Sequence, residues 1–233
     1  MAGNGRFSGK VALVSGASSG LGKACAIRLL DEGAEVLAVA RDPAKLAVLE
    51  RECGNSRLKI FSANLAEANQ CRAAVDVAVE AFSALDVLLN VAGVHRFRHT
   101  RNVSEQDWQD DLAINLSAPF FLSQAAIPHL LKRKGNIVNI GSLASTQGQP
   151  YSATYCAAKH GLIGLTRALA MEYLKQDLRV NAVCPGWVRP AIAKGTCRRI
   201  RRIYASKITN RGAPQAMRQK ISPGQAARTP HLP

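Results

Sequence analysis

Short apolar runs and longer amphipathic stretches alternate along the first 189 residues of the chain. The short runs are rich in β-branched residues and are typical of buried strands; they are Val11–Val14, Val36–Val39, Leu58–Phe61, Val87–Leu89, Ile137–Ile140 and Val180–Val183. The longer stretches carry apolar residues at helical spacing; they include Leu21–Leu30, Ala66–Phe82, Leu112–Leu131 and Thr154–Leu174. This alternation predicts βαβ units, and therefore a parallel sheet covered by helices on both faces.

The predicted fold is an α/β, Rossmann-type doubly wound parallel sheet of about six strands. Ligands of such sheets bind beyond the carboxyl ends of the strands, so the loops at those ends are where functional residues are expected. No apolar run reaches the ~18 residues of a membrane span, and the first residues lack a signal-peptide pattern. These features predict a cytoplasmic protein without a membrane partner.

The pattern stops near residue 190, where the composition also changes. Residues 190–233 hold ten Lys or Arg and no Asp or Glu, whereas residues 1–189 hold 21 basic and 16 acidic residues. The net charge of +15 is therefore concentrated at the end of the chain. We interpret 1–9 as an N-terminal tail, 10–189 as the folded domain, and 190–233 as a basic tail that is disordered or translated out of frame.

Two features that resemble binding sites are interpreted more simply. The Arg-rich run Arg198–Arg202 has almost no aromatic neighbours, so no specific nucleic-acid partner is expected. His95 and His99 are four residues apart but lack the glutamate of a zinc hydrolase motif, so no metal site is expected. The segment that carries them either borders a substrate entrance or is a solvated loop.

A glycine-rich turn joins the first predicted strand to the first predicted helix. Glycines at positions 16, 20 and 22 form the pattern GxxxGxG. Glycine lets the backbone approach a pyrophosphate, and the helix that begins there offers unpaired N–H groups and a positive dipole end. This strand–loop–helix context predicts a dinucleotide-binding site.

The end of the second predicted strand bears on the choice between NAD and NADP. Asp42 lies about 20 residues beyond the glycines, where a carboxylate accepts hydrogen bonds from the ribose of NAD. Arg41 precedes it, however, and a guanidinium matches the 2′-phosphate of NADP. Asp42 before Pro43 fits a helix N-cap. NADP (NADPH) is therefore favoured over NAD, the alternative being that Arg41 is a solvated loop residue.

Tyr155 and Lys159 are four residues apart on a predicted helix, and therefore share a face. A phenol has an ordinary pKa of ~10, which a nearby ammonium lowers. Tyr155 could then exchange a proton with a carbonyl or alcohol oxygen. The alternative is a core tyrosine beside a lysine whose stem lies along apolar surface. Ser142 follows the fifth predicted strand, at the same end of the sheet as the glycine-rich turn.

Together these features resemble the short-chain dehydrogenase/reductase family over residues 8–189. The shared motifs, in the family's order and approximate spacing, are GxxxGxG at 16–22, NxAG at 90–93, Ser142, YxxxK at 155–159 and NAVCPGWV at 181–188. The resemblance implies an oxidoreductase in which hydride passes between NADP(H) and a ketone or secondary alcohol. The alternative is a dinucleotide-binding protein that has lost turnover with its substrate-binding part.

The resemblance also implies the site residues. Tyr155 would be the general acid/base, and Lys159 would lower its pKa and contact the nicotinamide ribose. Ser142 would hydrogen-bond the substrate carbonyl, and Asn115 would hold a water in a proton relay to Lys159. The implied cofactor contacts are Gly16, Ser18, Ser19, Gly20, Leu21, Gly22, Arg41, Asn64, Leu65, Asn90, Ala92, Gly93, Tyr155, Lys159, Pro185, Gly186 and Val188.

The chain departs from the family pattern in two ways. Ser15 stands for the usual Thr, Val91 for the second Asn of NNAG, and Asn64 for an Asp that meets adenine, all mild changes. More seriously, the sequence after Pro190 does not show the pattern of the family's substrate-covering helix or of its final strand. A homodimer through the helices that contain Leu112 and Thr154 is expected, whereas a homotetramer would need that final strand.

Overall fold

The computed structural model describes residues 5–186. Within them, six parallel strands form one sheet in the order β3-β2-β1-β4-β5-β6. The strands are β1 (Val11–Ser15), β2 (Glu35–Ala40), β3 (Leu58–Ser62), β4 (Val87–Asn90), β5 (Asn136–Ile140) and β6 (Arg179–Val183). The chain order reverses between β1 and β4, which opens a crevice beyond the carboxyl ends of these two strands. The predicted α/β fold is thereby confirmed.

Six α-helices connect the strands. They are α1 (Gly20–Asp31), α2 (Pro43–Cys53), α3 (Ala68–Phe82), α4 (Glu105–Leu112), α5 (Ala118–Lys132) and α6 (Ala153–Glu172). A π-helical turn over Ala113–Ser117 joins α4 to α5. The sequence pattern placed the start of this helical region at Leu112, but α4 begins earlier because Ser104 and Asp107 form a capping box. Because α4 is mostly polar, its sequence lacks the apolar periodicity by which a helix is recognised.

The helices bury the sheet from both sides. On one face, α3, α5 and α6 pack over a core that includes Leu13, Leu88 and Leu122. On the other face, α1 and α2 pack over a core that includes Val14 and Leu46. Because the central strands are buried on both faces, they appear in the sequence as continuous apolar runs rather than as alternating ones.

The residues before β1 contact the end of α1. The Phe7 N–H donates to the Glu32 carbonyl at 2.9 Å, and the Glu32 carboxylate pairs with Arg6 and Arg28. No helix of the described part is long and apolar enough to cross a membrane. The basic tail over 190–233 and the predicted boundary at 189 lie outside the described residues.

A buried carboxylate joins several elements at the amino-terminal edge of the sheet. Asp86, which immediately precedes β4, is 3% exposed. It accepts hydrogen bonds from Val11 N–H at 3.0 Å, Lys10 Nζ at 2.9 Å and Arg133 Nε at 3.1 Å. Burial raises its pKa, but the three donors outweigh burial, so the pKa of Asp86 lies below its ordinary value.

Candidate active site

The glycine-rich turn is packed too closely for side chains at two of its three glycines. A Cβ on Gly16, whose φ is 70°, would lie 2.8 Å from the Ala92 Cα. A Cβ on Gly22 would lie 2.3 Å from the Gly16 carbonyl oxygen. The turn therefore lies against the residues that follow β4, and the start of α1 lies against the turn.

The first turn of α1 is open to an anion. Ser19 occupies the N-cap position, but its side chain makes no capping hydrogen bond, and the first turn carries no acidic residue. Ser19 and Gly20 are exposed, and Leu21 is 36% exposed. Backbone N–H groups and the positive end of the helix dipole are thus presented where a pyrophosphate could bind.

The Ser15 hydroxyl joins the ends of β1 and β4. It donates to the Leu89 carbonyl at 3.2 Å and accepts from the N–H groups of Val91 and Ala92 at 2.9 and 3.1 Å. One hydroxyl proton and two lone pairs are therefore all used. The serine thus keeps the hydroxyl of the family's usual threonine, and it fixes the backbone of the NxAG segment beside the crevice.

The end of β2 separates the roles of Arg41 and Asp42. Asp42 is the N-cap of α2: its carboxylate accepts from the Lys45 N–H at 3.2 Å, and Pro43 occupies the first turn. This confirms the predicted cap. Arg41 is exposed and forms no ion pair within residues 5–186. The guanidinium is thus available at the expected position of a ribose phosphate, whereas the carboxylate already has partners.

Asn64 and Leu65 are engaged within their own loop. The Asn64 Nδ2 donates to the Glu67 carboxylate at 2.8 Å, and its Oδ1 accepts from the Ala66 N–H at 3.3 Å. Leu65 is 4% exposed and belongs to the core between the sheet and α3. An adenine contact by Asn64 would therefore have to share or replace the bond to Glu67, and Leu65 could contribute only through its backbone.

Ser142, Tyr155 and Lys159 come together at the carboxyl end of β5. The Ser142 side chain lies close enough to the Tyr155 phenol to lower its pKa, and the Ser142 hydroxyl accepts from the Ala144 N–H at 3.2 Å. The Lys159 Nζ lies 5.7 Å from the centre of the Tyr155 ring and donates to the Ile140 carbonyl at 2.8 Å. The helical spacing of four residues thus brings the phenol and the ammonium to the same crevice, as predicted.

Burial has opposite effects on the two titrating groups. It raises the pKa of Tyr155, and the hydrogen bond from Ser142 only partly opposes it. It also lowers the pKa of Lys159 to about 8. The site therefore differs from the expectation that the ammonium alone makes the phenol more acidic. The cause is the poor solvation of both charged forms in the crevice.

Asn115 connects this group to the glycine-rich turn. Its Nδ2 donates to the carbonyls of Val94 and Asp111, both at 2.9 Å, and its Oδ1 accepts from the Val94 N–H at 3.1 Å. A Cβ placed on Gly93 would lie 2.8 Å from the Asn115 Oδ1 and 3.6 Å from the Lys159 Nζ. The NxAG segment therefore contacts the catalytic candidates at its Gly93 end and the glycine-rich turn at Ala92.

The π-helical turn around Asn115 has an identifiable cause. Pro119 lacks an N–H and cannot donate the hydrogen bond that an α-helix would direct to the Asn115 carbonyl. The Ala118 N–H, one residue before Pro119, donates to the Ala113 carbonyl, which is a hydrogen bond of the i to i+5 type. The Asn115 side chain already uses both amide protons and one lone pair of its oxygen, and Pro119 leaves its main-chain carbonyl without the usual α-helical donor.

Asn90 serves the sheet more than the crevice. It is 2% exposed, and its Nδ2 donates to the Asn139 Oδ1 at 2.8 Å. The Asn139 amide in turn donates to the Thr166 hydroxyl at 2.9 Å. Within the described residues the Asn90 Oδ1 has no hydrogen-bond partner. Its side chain thus links β4 and β5 to α6, and only the backbone that follows it lines the crevice.

The segment after β6 borders the Ser142 loop. The Pro185 carbonyl accepts from the Leu143 N–H at 3.2 Å, and a Cβ on Gly186 would lie 3.8 Å from the Leu143 side chain. These two predicted cofactor contacts are therefore close to the catalytic candidates. Val188 lies outside the described residues.

Sequence reasoning missed a buried carboxylate beside the site. Asp111 is 0% exposed and accepts from Arg96 at 2.5 Å and from the Thr154 hydroxyl at 2.6 Å, with Arg98 at 3.7 Å. The only signal for Asp111 in the sequence is that this charged residue precedes Asn115 by four residues, or one helical turn. Asp111 thus ties the loop after β4 to the helix end that carries Tyr155.

The two histidines of that loop have different partners. The His95 Nε2 lies 2.9 Å from the Ser152 hydroxyl, and the His95 ring stacks on Tyr155. The His99 ring contacts Tyr151 edge-on. In the part of the chain that the structure describes, no three potential metal ligands form a group.

Comparison with known proteins places this geometry in a family. The sequence profile described as short chain dehydrogenase matches residues 10–199. A 3-oxoacyl-(acyl-carrier-protein) reductase from Thermotoga maritima is 32% identical over 221 residues, which cover 93% of this chain and 90% of the reductase. D-threitol dehydrogenase from Mycolicibacterium smegmatis is 38% identical over 183 residues, or 77% of this chain and 70% of that enzyme.

A solved structure agrees with these sequence matches. The crystal structure of a metagenomic short-chain oxidoreductase in complex with NADP is similar to this chain, with a TM-score of 0.74 and 37% identity. The match covers 78% of this chain and 85% of the oxidoreductase. The chain belongs to the short-chain dehydrogenase/reductase family, whose members are oxidoreductases that bind a nicotinamide dinucleotide.

Proposed function

We propose that the protein reduces a ketone with NADPH, or oxidises the matching secondary alcohol with NADP, and that Tyr155 is its general acid/base. The observation that carries the proposal is the continuity of the crevice. Gly16 contacts Ala92, the neighbouring Gly93 faces the Asn115 carboxamide and the Lys159 ammonium, and Tyr155 with Ser142 lies beyond them. A dinucleotide held at the turn can therefore reach the proton donor.

The residues present fit an NADP molecule. The uncapped start of α1 and the open space beside Gly20 suit the pyrophosphate. Arg41 suits the 2′-phosphate because it is exposed and its neighbour Asp42 is occupied as a cap. When bound, the nicotinamide would supply or accept the hydride.

The chain's own residues would handle the proton. Tyr155 would give its proton to the carbonyl oxygen during reduction and take it back during oxidation. Ser142, which lies beside Tyr155, would hold the same oxygen of the substrate. Lys159 would stabilise the phenolate and contact the nicotinamide ribose, and the Asn115 carbonyl would hold the water that returns a proton to Lys159.

The relatives suggest two substrate classes. One is named for reduction of a 3-oxoacyl thioester and the other for dehydrogenation of a small polyol. Both reactions interconvert a ketone and a secondary alcohol, so the proton-handling proposal applies to either. Residues 10–189 would be the catalytic domain. We also propose a homodimer through the helices around α5 and α6, because Phe120 on α5 and Met171 on α6 are exposed.

The test is an activity measurement on the purified full chain. NADPH consumption would be followed with 3-oxoacyl thioesters and, separately, with small polyhydroxy ketones. Turnover of either class supports the proposal and selects the class. Saturable NADPH binding without turnover of any ketone or alcohol contradicts it and indicates a dinucleotide-binding protein without activity.

A separate variant tests the preference for NADP over NAD. Arg41→Ala removes the guanidinium but leaves the Asp42 cap in place. We expect it to weaken NADPH binding about tenfold or more while NADH binding changes little, since only NADPH carries the 2′-phosphate. Fluorescence titration with both dinucleotides measures the ratio, and equal losses for the two would contradict the assignment to NADP. Arg51→Ala, which removes another exposed guanidinium, in the last turn of α2, is the matched control.

A further inference from the structure

We propose that His95 is a positioning residue that holds the ring of Tyr155 in its proton-transfer orientation. The inference rests on the proposed role of Tyr155, but it concerns a residue that the family motifs do not include. Its starting observation is geometric. The imidazole and phenol rings are stacked with centroids 4.1 Å apart and an interplanar angle of 13°.

The His95 ring covers one face of the Tyr155 phenol, and other contacts fix the position of His95. Phe97 packs against His95 with ring centroids 4.2 Å apart and an interplanar angle of 41°. The His95 Nε2 lies 2.9 Å from the hydroxyl of Ser152, a residue that is 1% exposed. Because His95 is fixed by both contacts, it restricts rotation of the Tyr155 ring rather than following it.

The hydrogen bonds determine the form of the imidazole. The Ser152 hydroxyl donates its only proton to the Pro150 carbonyl at 3.2 Å. With its proton on that carbonyl, the hydroxyl accepts from His95, an arrangement that places the ring proton on Nε2. Burial lowers the pKa of His95, and the Asp111 carboxylate only partly opposes this. The ring that stacks on the phenol is thus the neutral tautomer with Nδ1 unprotonated.

A second set of contacts holds the two stacked residues in register. Arg96, next to His95, and Thr154, next to Tyr155, donate to the same Asp111 carboxylate at 2.5 and 2.6 Å. The loop after β4 and the first turn of α6 are therefore joined directly beneath the stack. The backbone on both sides is fixed, so the relative position of the rings does not depend on the stack alone.

The stack would matter because the phenol must meet two oxygens at once. In the structure Tyr155 lies beside Ser142, the residue proposed to hold the substrate carbonyl. Rotation of the ring about its side-chain torsions would break that contact. Stacking of this kind changes the population of one orientation by about threefold to tenfold, which sets the expected size of the effect.

Three variants test the inference through kinetics. His95→Ala removes the stack and is expected to lower kcat about threefold to tenfold while the KM for NADPH stays unchanged. His95→Phe keeps an aromatic ring and is expected to restore most of kcat, although the bond to Ser152 is lost. His99→Ala is the matched control in the same loop and should behave as the unmodified protein. Equal loss of kcat in the Ala and Phe variants, or no loss in either, overturns the inference.

A second measurement does not depend on turnover. The chain contains four tyrosines, and the resonances of Tyr155 in ring-labelled protein can be assigned by their disappearance in Tyr155→Phe. The imidazole ring current should make these resonances move in His95→Ala and not in His99→Ala. A spectrum of Tyr155 that is unchanged in His95→Ala overturns the stack. If the resonances move but no substrate is turned over, the positioning by His95 stands and the proposed function fails.

Discussion

A buried carboxylate binds two basic side chains at the amino-terminal edge of the sheet, and another does so near the carboxyl-terminal edge. The two carboxylates connect different parts of the fold. At the amino-terminal edge, Asp86 bonds Val11 N–H, Lys10 and Arg133. All of its partners lie in or next to the framework of strands and α5. At the opposite edge, Asp111 joins a loop and a helix start rather than two strands. The same buried ionic group therefore serves the framework at one edge and the candidate site at the other.

This difference separates stability from function. Loss of either carboxylate leaves two partly exposed basic side chains without their buried partner, so both losses should destabilise the fold. Only the loss of Asp111 should also move groups that the proposed reaction uses, because Thr154 immediately precedes Tyr155. The predictions that follow test this separation.

The largest effect is expected at the carboxyl edge, from Tyr155→Phe. The variant removes the proton donor but keeps the ring, its packing and its stack on His95. We expect kcat to fall by about 10²–10⁴-fold, the range typical of a lost general acid, while NADPH affinity and the thermal midpoint change little. Turnover is measured with the substrate class found for the unmodified chain, and a kcat within threefold of that chain would rule out Tyr155 as the acid/base.

Asp111→Asn should affect both stability and activity. Asp111 is buried, but Arg96 and Arg98 are partly exposed and can be hydrated, so losing the charge should cost about 1–3 kcal/mol rather than the full penalty of a buried ion pair. We expect urea unfolding to reveal a loss of that order, together with a lower kcat at temperatures where the variant is folded. Asp110→Asn is the matched control, because Asp110 is exposed and lies one residue earlier on α4. A destabilised variant with an unchanged kcat would mean that Asp111 serves only the framework, like Asp86.

Much of this comparison could be drawn from the sequence, and the missing part has a physical reason. The strands are legible because residues such as Leu13 and Leu88 are buried on both faces of the sheet. Tyr155 and Lys159 are legible because helical spacing alone brings them together. Asp111 could not be recognised from the sequence, since its burial depends on Arg96 and Thr154, which are 15 and 43 residues away in the chain. Sequence reveals local spacing well and distant ionic partners poorly.

Asp86→Asn should produce the complementary result at the amino-terminal edge. An amide can still accept from the Val11 N–H but no longer balances Lys10 and Arg133, so the free energy of unfolding should fall. Because none of the three groups that bond the Asp86 carboxylate contacts Tyr155 or Lys159 within residues 5–186, kcat and the KM for NADPH of the folded variant should equal those of the unmodified chain. Asp177→Asn is the control: it breaks an exposed pair, with Lys134, and should change stability little.

The smallest effect concerns acid stability and isolates the charge of Asp86. Its pKa in the folded chain lies below the ordinary value of 3.8 because the donors around it outweigh the effect of burial. A carboxyl with a lowered folded pKa contributes stability above its unfolded pKa and loses it as the pH falls through the folded value. The unmodified chain should therefore lose unfolding free energy more steeply than Asp86→Asn as the pH is lowered from about 5 through 3.8. Denaturant midpoints measured across this range give both slopes. Parallel curves would show that the stabilisation at this edge comes from packing and hydrogen bonding that survive protonation, and the parallel with Asp111 as a second charged anchor would then be lost.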